Sequence, residues 1–270
     1  MSFAAKKSLG QHFLLNPSTI EKILEKAQIS PNDHVLEIGP GPGVMTERLA
    51  RRALNVVAVE KDRRFFELLK EKLSAYSHLT IIEGDFLALD IEKILTPERR
   101  QWKVVANLPY NIATEVLFHL LELSYLFTSF HLMVQKEVAE RLVAKPGTKN
   151  FGILSVFAQL FSENRIVMRL PPGAFTPPPK VDSAVVEFRI AEGCRFDIHH
   201  LPTFESVVRS AFGQRRKTIT NSLRGGMSHL PSETIRTALE GAGIPPTARA
   251  ETVSIELFSR LANLLSAPKV

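Results

Sequence analysis

A short apolar run that breaks into three alternating glycines decides most of what this chain can become. His34-Val35-Leu36-Glu37-Ile38 reads as a strand, Gly39-Pro40-Gly41-Pro42-Gly43 as a tight turn, and residues 44–53 carry apolar positions at helical spacing. A strand, a glycine turn and a helix make a nucleotide-binding opening. Glycine there lets the backbone come up against a ligand where any side chain would collide. Residues 55–60 form a second strand that closes on Glu60, a carboxylate about 20 residues past the first glycine, where a ribose diol would lie. These features suit NAD and S-adenosylmethionine equally. The glycines are not followed by Gly-Lys-Ser/Thr, so they do not form a phosphate-binding P-loop.

Two further strand ends narrow the choice. Leu79-Thr80-Ile81-Ile82-Glu83 runs into Gly84-Asp85-Phe86, where Asp85 can accept from the adenine amine of a cofactor and Phe86 can lie against its ring. Asp85 reads equally well as a helix N-cap. Val104-Val105-Ala106 then leads into Asn107-Leu108-Pro109-Tyr110. The apolar run does not alternate, as expected for a strand buried on both faces of a parallel sheet, and Pro109, lacking an N–H, ends it. In open α/β folds ligands bind at such carboxyl-terminal strand ends. Glu60, Asp85 and Asn107 end successive strands, and Gly39 and Gly41 lie in the loop beside them. Polar strand ends converging on one crevice are a stronger signal than any one motif.

Asn-Leu-Pro-Tyr resembles the catalytic tetrapeptide of S-adenosylmethionine-dependent adenine-N6 methyltransferases. Its chemistry follows from the residue types. The exocyclic amine of adenine is a poor nucleophile because its lone pair is delocalised into the ring. If the Asn107 side-chain oxygen and the Leu108 carbonyl both accept from that amine, the nitrogen is drawn toward tetrahedral geometry and the lone pair is freed. Tyr110 supplies a stacking face worth about 1–3 kcal/mol per base. A sulfonium methyl donor is already activated, so no strong general base is required.

The chain has 270 residues, enough for one large α/β domain and a smaller appendage, and 44% hydrophobic content supports a proper core. Lys and Arg outnumber Asp and Glu by 34 to 28, a net charge of +6 that favours a polyanionic partner. Cys194 is the sole cysteine, which excludes an internal disulfide and any cysteine-based metal site; it reads as an incidental linker thiol of a protein in a reducing cytosol. No metal is expected, since His12 has no second ligand at useful spacing. The amino terminus reaches Lys6 and Lys7 before any apolar core and is no secretory signal. Residues 114–134 are greasy, but Glu115, His119, Glu122 and His131 interrupt them, so a helix followed by a strand is expected rather than a membrane span.

Taken in order, the chain opens with an arm, Gly10-Gln11-His12-Phe13-Leu14, followed by a helix over residues 18–27 with Ser18 and Glu21 as a capping box. Beyond Tyr110 come a helix to about Leu123, a strand over 130–135, and a loop, 144–150, in which Lys145 and Lys149 either meet phosphates or are simply solvated. Residues 151–161 read as a buried helix, and 164–170 and 184–190 as two closing strands. Between those strands, three prolines at 177–179 set an extended path beside Phe175. Near Ala191 the composition shifts and the rest reads as helices over 202–212, 214–223, 232–239 and 255–265. The expected domains are therefore 1–190 and 191–270, the second carrying a basic ridge of Arg209, Arg215, Arg216, Lys217 and Arg224 suited to structured RNA. Phe204, Val208, Ala211, Ile219 and Leu223 form the apolar face beneath it.

With these motifs in place, nearly the whole chain resembles the ribosomal RNA small-subunit adenine N6,N6-dimethyltransferases, the KsgA family. The arm, Glu37 to Gly43, Glu60, Gly84-Asp85-Phe86, Asn107 to Tyr110 and the Phe-Gly-Gln-Arg-Arg-Lys run match its motifs in order and spacing. The resemblance implies an α/β class I S-adenosylmethionine-dependent methyltransferase (Rossmann-like) sheet with a small carboxyl-terminal all-helical RNA-recognition domain. It implies that His12, Leu14, Gly39, Gly41, Glu60, Asp85, Phe86 and Asn107 hold S-adenosylmethionine. Many relatives have Asn in place of His12, where a backbone contact would survive the exchange. Asn107, Leu108, Pro109 and Tyr110 would act on the base, with Phe175 either the second face of an aromatic clamp or a plain hydrophobic anchor. The implied reaction is N6,N6-dimethylation of two adjacent adenines in a hairpin loop of small-subunit (16S) rRNA, on a small-ribosomal-subunit precursor in the cytoplasm, by a monomer away from membranes. The rivals are a large-subunit methyltransferase of the macrolide-resistance type, a ribosome-assembly factor that keeps the fold without catalysis, and a nicotinamide dehydrogenase.

Overall fold

The computed structural model describes residues 11–95, 101–214 and 216–266. Lys6, Lys7, Gly10 and Arg215 of the sequence reading lie outside the described residues. The chain divides into two compact units, one running to Ala139 and again over Ser162–Glu192, the other comprising Glu140–Phe161 and the chain from Gly193 onward. The expected division at 190/191 is contiguous, whereas this partition is not. Residues 140–161 leave the first unit and join the carboxyl-terminal helices, because the face of their helix is filled by phenylalanines from that later part of the chain.

The first unit begins with β1 (Phe13–Leu14) and α1 (Pro17–Lys26). The cap of α1 differs from the expected Ser18/Glu21 box: Asn16 is the N-cap and its side chain accepts from Thr19 N at 3.1 Å. Pro17 takes the first helical position, where its fixed φ fits and its missing N–H costs nothing, so the helix starts before Ser18. Glu21 instead pairs with Arg48 at 3.1 Å and with Arg52.

There follow β2 (His34–Ile38), α2 (Val44–Ala50), β3 (Asn55–Glu60), α3 (Arg63–Lys72), β4 (Leu79–Glu83), α4 (Ile91–Ile94), β5 (Trp102–Asn107), α5 (Ala113–Glu122), β6 (Phe127–Gln135) and α6 (Lys136–Leu142). The greasy stretch at 114–134 is thus a helix and a strand, and no helix among the described residues is long and apolar enough to cross a membrane. After α7 (Ile153–Leu160), which belongs to the second unit, come β7 (Ser162–Leu170), β8 (Phe175–Thr176) and β9 (Ser183–Ile190), of which β7 and β9 complete the main sheet.

Among the described residues, seven strands form one sheet in the order β4-β3-β2-β5-β6-β9-β7. The first five are mutually parallel, while β9 is antiparallel to both β6 and β7. Both faces of the central strands are buried, which is why their sequences run apolar without alternation. Val35, Val105, Met133 and Val185 point to one face and pack with Ile20, Ile23 and Leu24 of α1. Leu36 and Val104, in register, point to the other with Phe130 and Phe188, whose rings lie 5.9 Å apart. The strand pair β1–β8 stands apart as a two-stranded sheet with Leu14 opposite Phe175.

The second unit packs α7 with α8 (Leu201–Phe212), α9 (Ile219–Gly226), α10 (Ser232–Ala242) and α11 (Ile255–Ser266). Phe204, Val208, Ala211, Ile219 and Leu223 are all buried, so the apolar face read from the sequence is real. At Gly226 an added Cβ would collide with Ser210 of α8, so the close approach of α8 and α9 depends on that glycine. The start of α9 is a correction: it begins at Ile219, capped by the Thr218 hydroxyl accepting from Asn221 N at 3.4 Å, not at Gln214. Arg216 and Lys217 therefore sit in the turn before α9 and not on its face.

Candidate active site

Parallel strands share a carboxyl end, and here that end carries the polar residues. The sheet order places them, from one side to the other, as Asp85 just past β4, Glu60 closing β3, Gly39 past β2 and Asn107 closing β5. A solvent-open crevice of about 860 Å³ lies over them, lined among others by Gly39, Gly41, Glu60, Asp85, Phe86 and Asn107. Leu108, Pro109, Tyr110 and His12 complete the same wall. That size suits a nucleoside with a side arm. The crevice therefore gathers the predicted cofactor set and the predicted tetrapeptide in one place. Leu14 is the exception. It is buried and borders a smaller neighbouring pocket of about 360 Å³ with Glu37 and Asn107.

The glycine loop is shaped by its backbone. Gly39, Gly41 and Gly43 have φ of 68°, 56° and 78°, the left-handed region that side chains disfavour. The loop is tied down by Gly39 N donating to Val59 O at 2.9 Å and Gly41 N donating to the Glu60 carboxylate at 2.9 Å. The other oxygen of Glu60 accepts from Asp62 N at 2.7 Å. Burial pushes the Glu60 carboxyl above its usual range, and these two backbone donors pull it part of the way back. Both oxygens are thereby held in a fixed plane at the crevice edge.

Asp85 does two jobs. Its Oδ1 caps the short turn after β4 by accepting from Leu87 N at 3.2 Å, the capping role the sequence allowed, and its Oδ2 accepts from Lys61 Nζ at 2.6 Å. The Lys61 ammonium is the main reason its carboxyl lies below the usual range. Lys61, Asn111 and Ile112 also line the crevice and were not singled out from the sequence, as does Gln11, which was named only within the arm. Their one local signal was adjacency to motif residues.

Asn107 Nδ2 donates to the main-chain oxygen of His12 at 2.8 Å. A carbonyl can only accept, so the amide nitrogen is assigned to that bond and Oδ1 is turned the other way. Tyr110 is held by its hydroxyl, 2.5 Å from Ser183 Oγ, and by a stack on His12 with ring centroids 5.4 Å apart and planes inclined by 24°. Burial raises the pKa of this phenol, which stays neutral. Phe175 is not on the crevice wall: it is 3% exposed and packs with Leu14, Ile20 and Leu170. The anchor reading is the one this packing supports, because pairing of β8 with β1 turns the side chain into the core.

Glu37 of β2 is 0% exposed, and neither carboxylate oxygen has a hydrogen-bond partner among the described residues. Burial pushes its carboxyl up to about 8, with Thr46 opposing and Glu60 adding to the shift. No group of His, Cys, Asp and Glu suited to a metal occurs among the described residues.

Among the described residues, those expected to meet RNA lie in the second unit. Lys145 and Lys149 are exposed in a loop anchored by Gly147 N donating to Glu251 O at 2.7 Å. Arg209 lies over the Phe157 ring at 5.2 Å, and Arg216, Lys217 and Arg224 are exposed around the start and along the length of α9.

The sequence matches the family described as "Ribosomal RNA adenine dimethylase" over residues 2–267. It is 42% identical over 264 residues to a ribosomal RNA small subunit methyltransferase A of Geobacter metallireducens, covering 97% of this chain and 96% of that protein. A protein of the same name from Clostridioides difficile is 40% identical over 267 residues, covering 98% and 92%. Among solved structures, a dimethyladenosine transferase from Plasmodium falciparum superposes with a TM-score of 0.79 at 27% identity, covering 93% of this chain and 96% of that one. The 23S rRNA methyltransferase ErmE does so with a TM-score of 0.71 at 29% identity, covering 94% and 100%.

Proposed function

The chain belongs to the ribosomal RNA adenine dimethylase family, and on that premise we propose that it dimethylates N6 of two adjacent adenines in a hairpin loop of small-subunit rRNA, taking the methyl groups from S-adenosylmethionine. The observation that carries this reading is the bond from Asn107 Nδ2 to the His12 carbonyl, which leaves the amide oxygen to accept from the base amine.

The crevice fits the donor by the chemistry of its walls. Glu60 offers a plane-fixed carboxylate to a ribose diol, Asp85 accepts from an adenine amine, and Phe86 lies beside them. When bound, S-adenosylmethionine supplies an electrophilic methyl group. Everything else falls to the protein. Asn107 Oδ1 and the Leu108 carbonyl accept from the two N6 protons of adenine and so free the lone pair on nitrogen. Tyr110 holds the ring in the plane that aligns nitrogen with the methyl, and such alignment is a large rate contribution that needs no acid–base help. A base in a hairpin loop must leave its stack to reach a crevice of this kind. The exposed Lys145, Lys149, Arg209, Arg216, Lys217 and Arg224 would meet phosphates of the RNA, which acts as part of a small-subunit precursor in the cytoplasm, the enzyme working as a monomer.

The test is transfer of labelled methyl to small subunits lacking the modification, beside large subunits and naked RNA, with the wild type and Asn107→Ala. N6,N6-dimethyladenosine formed on small subunits by the wild type alone supports the reading. The likeness to ErmE favours a second one, methylation of large-subunit RNA, which label in large subunits would establish.

A further inference from the structure

We infer that the His12 side chain serves the target base and not the methyl donor: it is a positioning residue that fixes the Tyr110 ring on which the adenine stacks. The inference deepens the function proposed above and rests on it for the identity of the base. The resemblance assigns His12 to the donor, but the two ends of the residue have separate partners. The main-chain oxygen is taken by Asn107 Nδ2 at 2.8 Å, and the imidazole turns to the phenol of Tyr110. A centroid separation of 5.4 Å and an inclination of 24° fall in the range of an attractive offset stack.

The imidazole is itself held. Its Nδ1 lies 2.7 Å from the carbonyl of Pro177, an acceptor, so the ring proton sits on Nδ1 and the ring plane is set. Tyr110 is then fixed at two points, on one face by His12 and at the hydroxyl by the fully buried Ser183 at the start of β9. One face remains for the base. Phe175, expected as the partner ring, is packed in the core and does not reach this place. Pre-orienting a ring removes the ordering cost the base would otherwise meet on stacking. One residue thereby sets both halves of the base site, the amide through its backbone and the phenol through its side chain.

The experiment compares wild type, His12→Ala and His12→Phe, each checked for an unchanged thermal melt. It measures KM for small subunits, S-adenosylhomocysteine affinity by calorimetry, and quenching of a hairpin RNA with 2-aminopurine at the target position. Loss of the stack in the alanine variant is expected to raise KM for the subunit roughly two- to tenfold and to weaken the quench, with S-adenosylhomocysteine affinity within about twofold. The phenylalanine variant, which keeps a ring face, should recover most of the loss. A drop in S-adenosylhomocysteine affinity with unchanged KM for RNA would return the imidazole to the donor and overturn the inference. So would parallel loss of both without rescue by phenylalanine. If the wild type methylates no rRNA at all, the proposed function fails, while the quench series still decides the role of His12.

Discussion

Asn107 and His12 are 95 positions apart in sequence, yet the Asn107 side-chain nitrogen donates to the His12 main-chain oxygen at 2.8 Å. This bond decides which end of the amide is available to a base, and it ties the amino-terminal arm to the end of β5.

It predicts different failures for two substitutions. Asn107→Ala removes the acceptor and is expected to lower kcat for methyl transfer by about 10²–10³, the usual loss for one preorganised polar group. Both variants lose the donor to the His12 carbonyl, which costs about 1–3 kcal/mol of stability. Asn107→Asp keeps an acceptor for the base but also sets a carboxylate oxygen against that carbonyl, so it should be the less stable of the two. Single-turnover kinetics together with urea unfolding separate the two, and equal stability of the aspartate and alanine variants would refute the assignment of the amide.

The glycine loop divides into a binding position and a folding position. A Cβ at Gly39 meets nothing within 4 Å, so Gly39→Ala should cost only the left-handed strain of about 1–2 kcal/mol while it obstructs S-adenosylhomocysteine. A Cβ at Gly43 would run into the buried Leu69 Cδ2, so Gly43→Ala should be clearly the less stable variant. Calorimetric binding beside urea unfolding checks the order.

Phe175→Ala is expected to cost about 3–5 kcal/mol in stability, as for a phenylalanine removed from a core. Phe175→Leu, which keeps the core filled, should retain methyl transfer and KM for subunits within a few-fold. A selective rise in KM for RNA with leucine would show that the ring meets the base after all.

Glu37 makes folding stability depend on pH. Its carboxyl ionises near 4.5 in an unfolded chain but is pushed up to about 8 by burial. Between those values the folded chain holds a proton that the unfolded chain has released, so this group lowers stability as pH rises through the window, by at most about 1.4 kcal/mol per pH unit. His131 acts oppositely: burial drives it from 6.5 down to about 4, so its contribution is complete above 6.5 and is lost as pH falls toward 4. Glu37→Gln should therefore raise the urea midpoint at pH 8 by more than at pH 5. An equal shift at both values would locate its effect in packing instead of titration.

Local chemistry explains what was legible beforehand. The glycine turn, the strand ends at Glu60 and Asn107 and the apolar face of α8 and α9 each depend on neighbours in sequence, through backbone sterics and residue periodicity. Where local rules competed, the nearest one was misread: Pro17 moved the start of α1, and the Thr218 cap moved the start of α9 from Gln214 to Ile219.

The sequence by itself determined that four strand ends would carry a glycine loop, two carboxylates and an amide, because a parallel strand exposes its carboxyl end whatever its neighbours are. Only the tertiary structure decided their order across the crevice and the orientation of the Asn107 amide. It also decided the stacking of His12 on Tyr110 and the burial of Phe175 opposite Leu14. The physical reason is separation along the chain: His12 meets Pro177 across 165 positions and Tyr110 meets Ser183 across 73. No pattern of neighbouring residues encodes such contacts; they arise when the sheet closes and β1 pairs with β8.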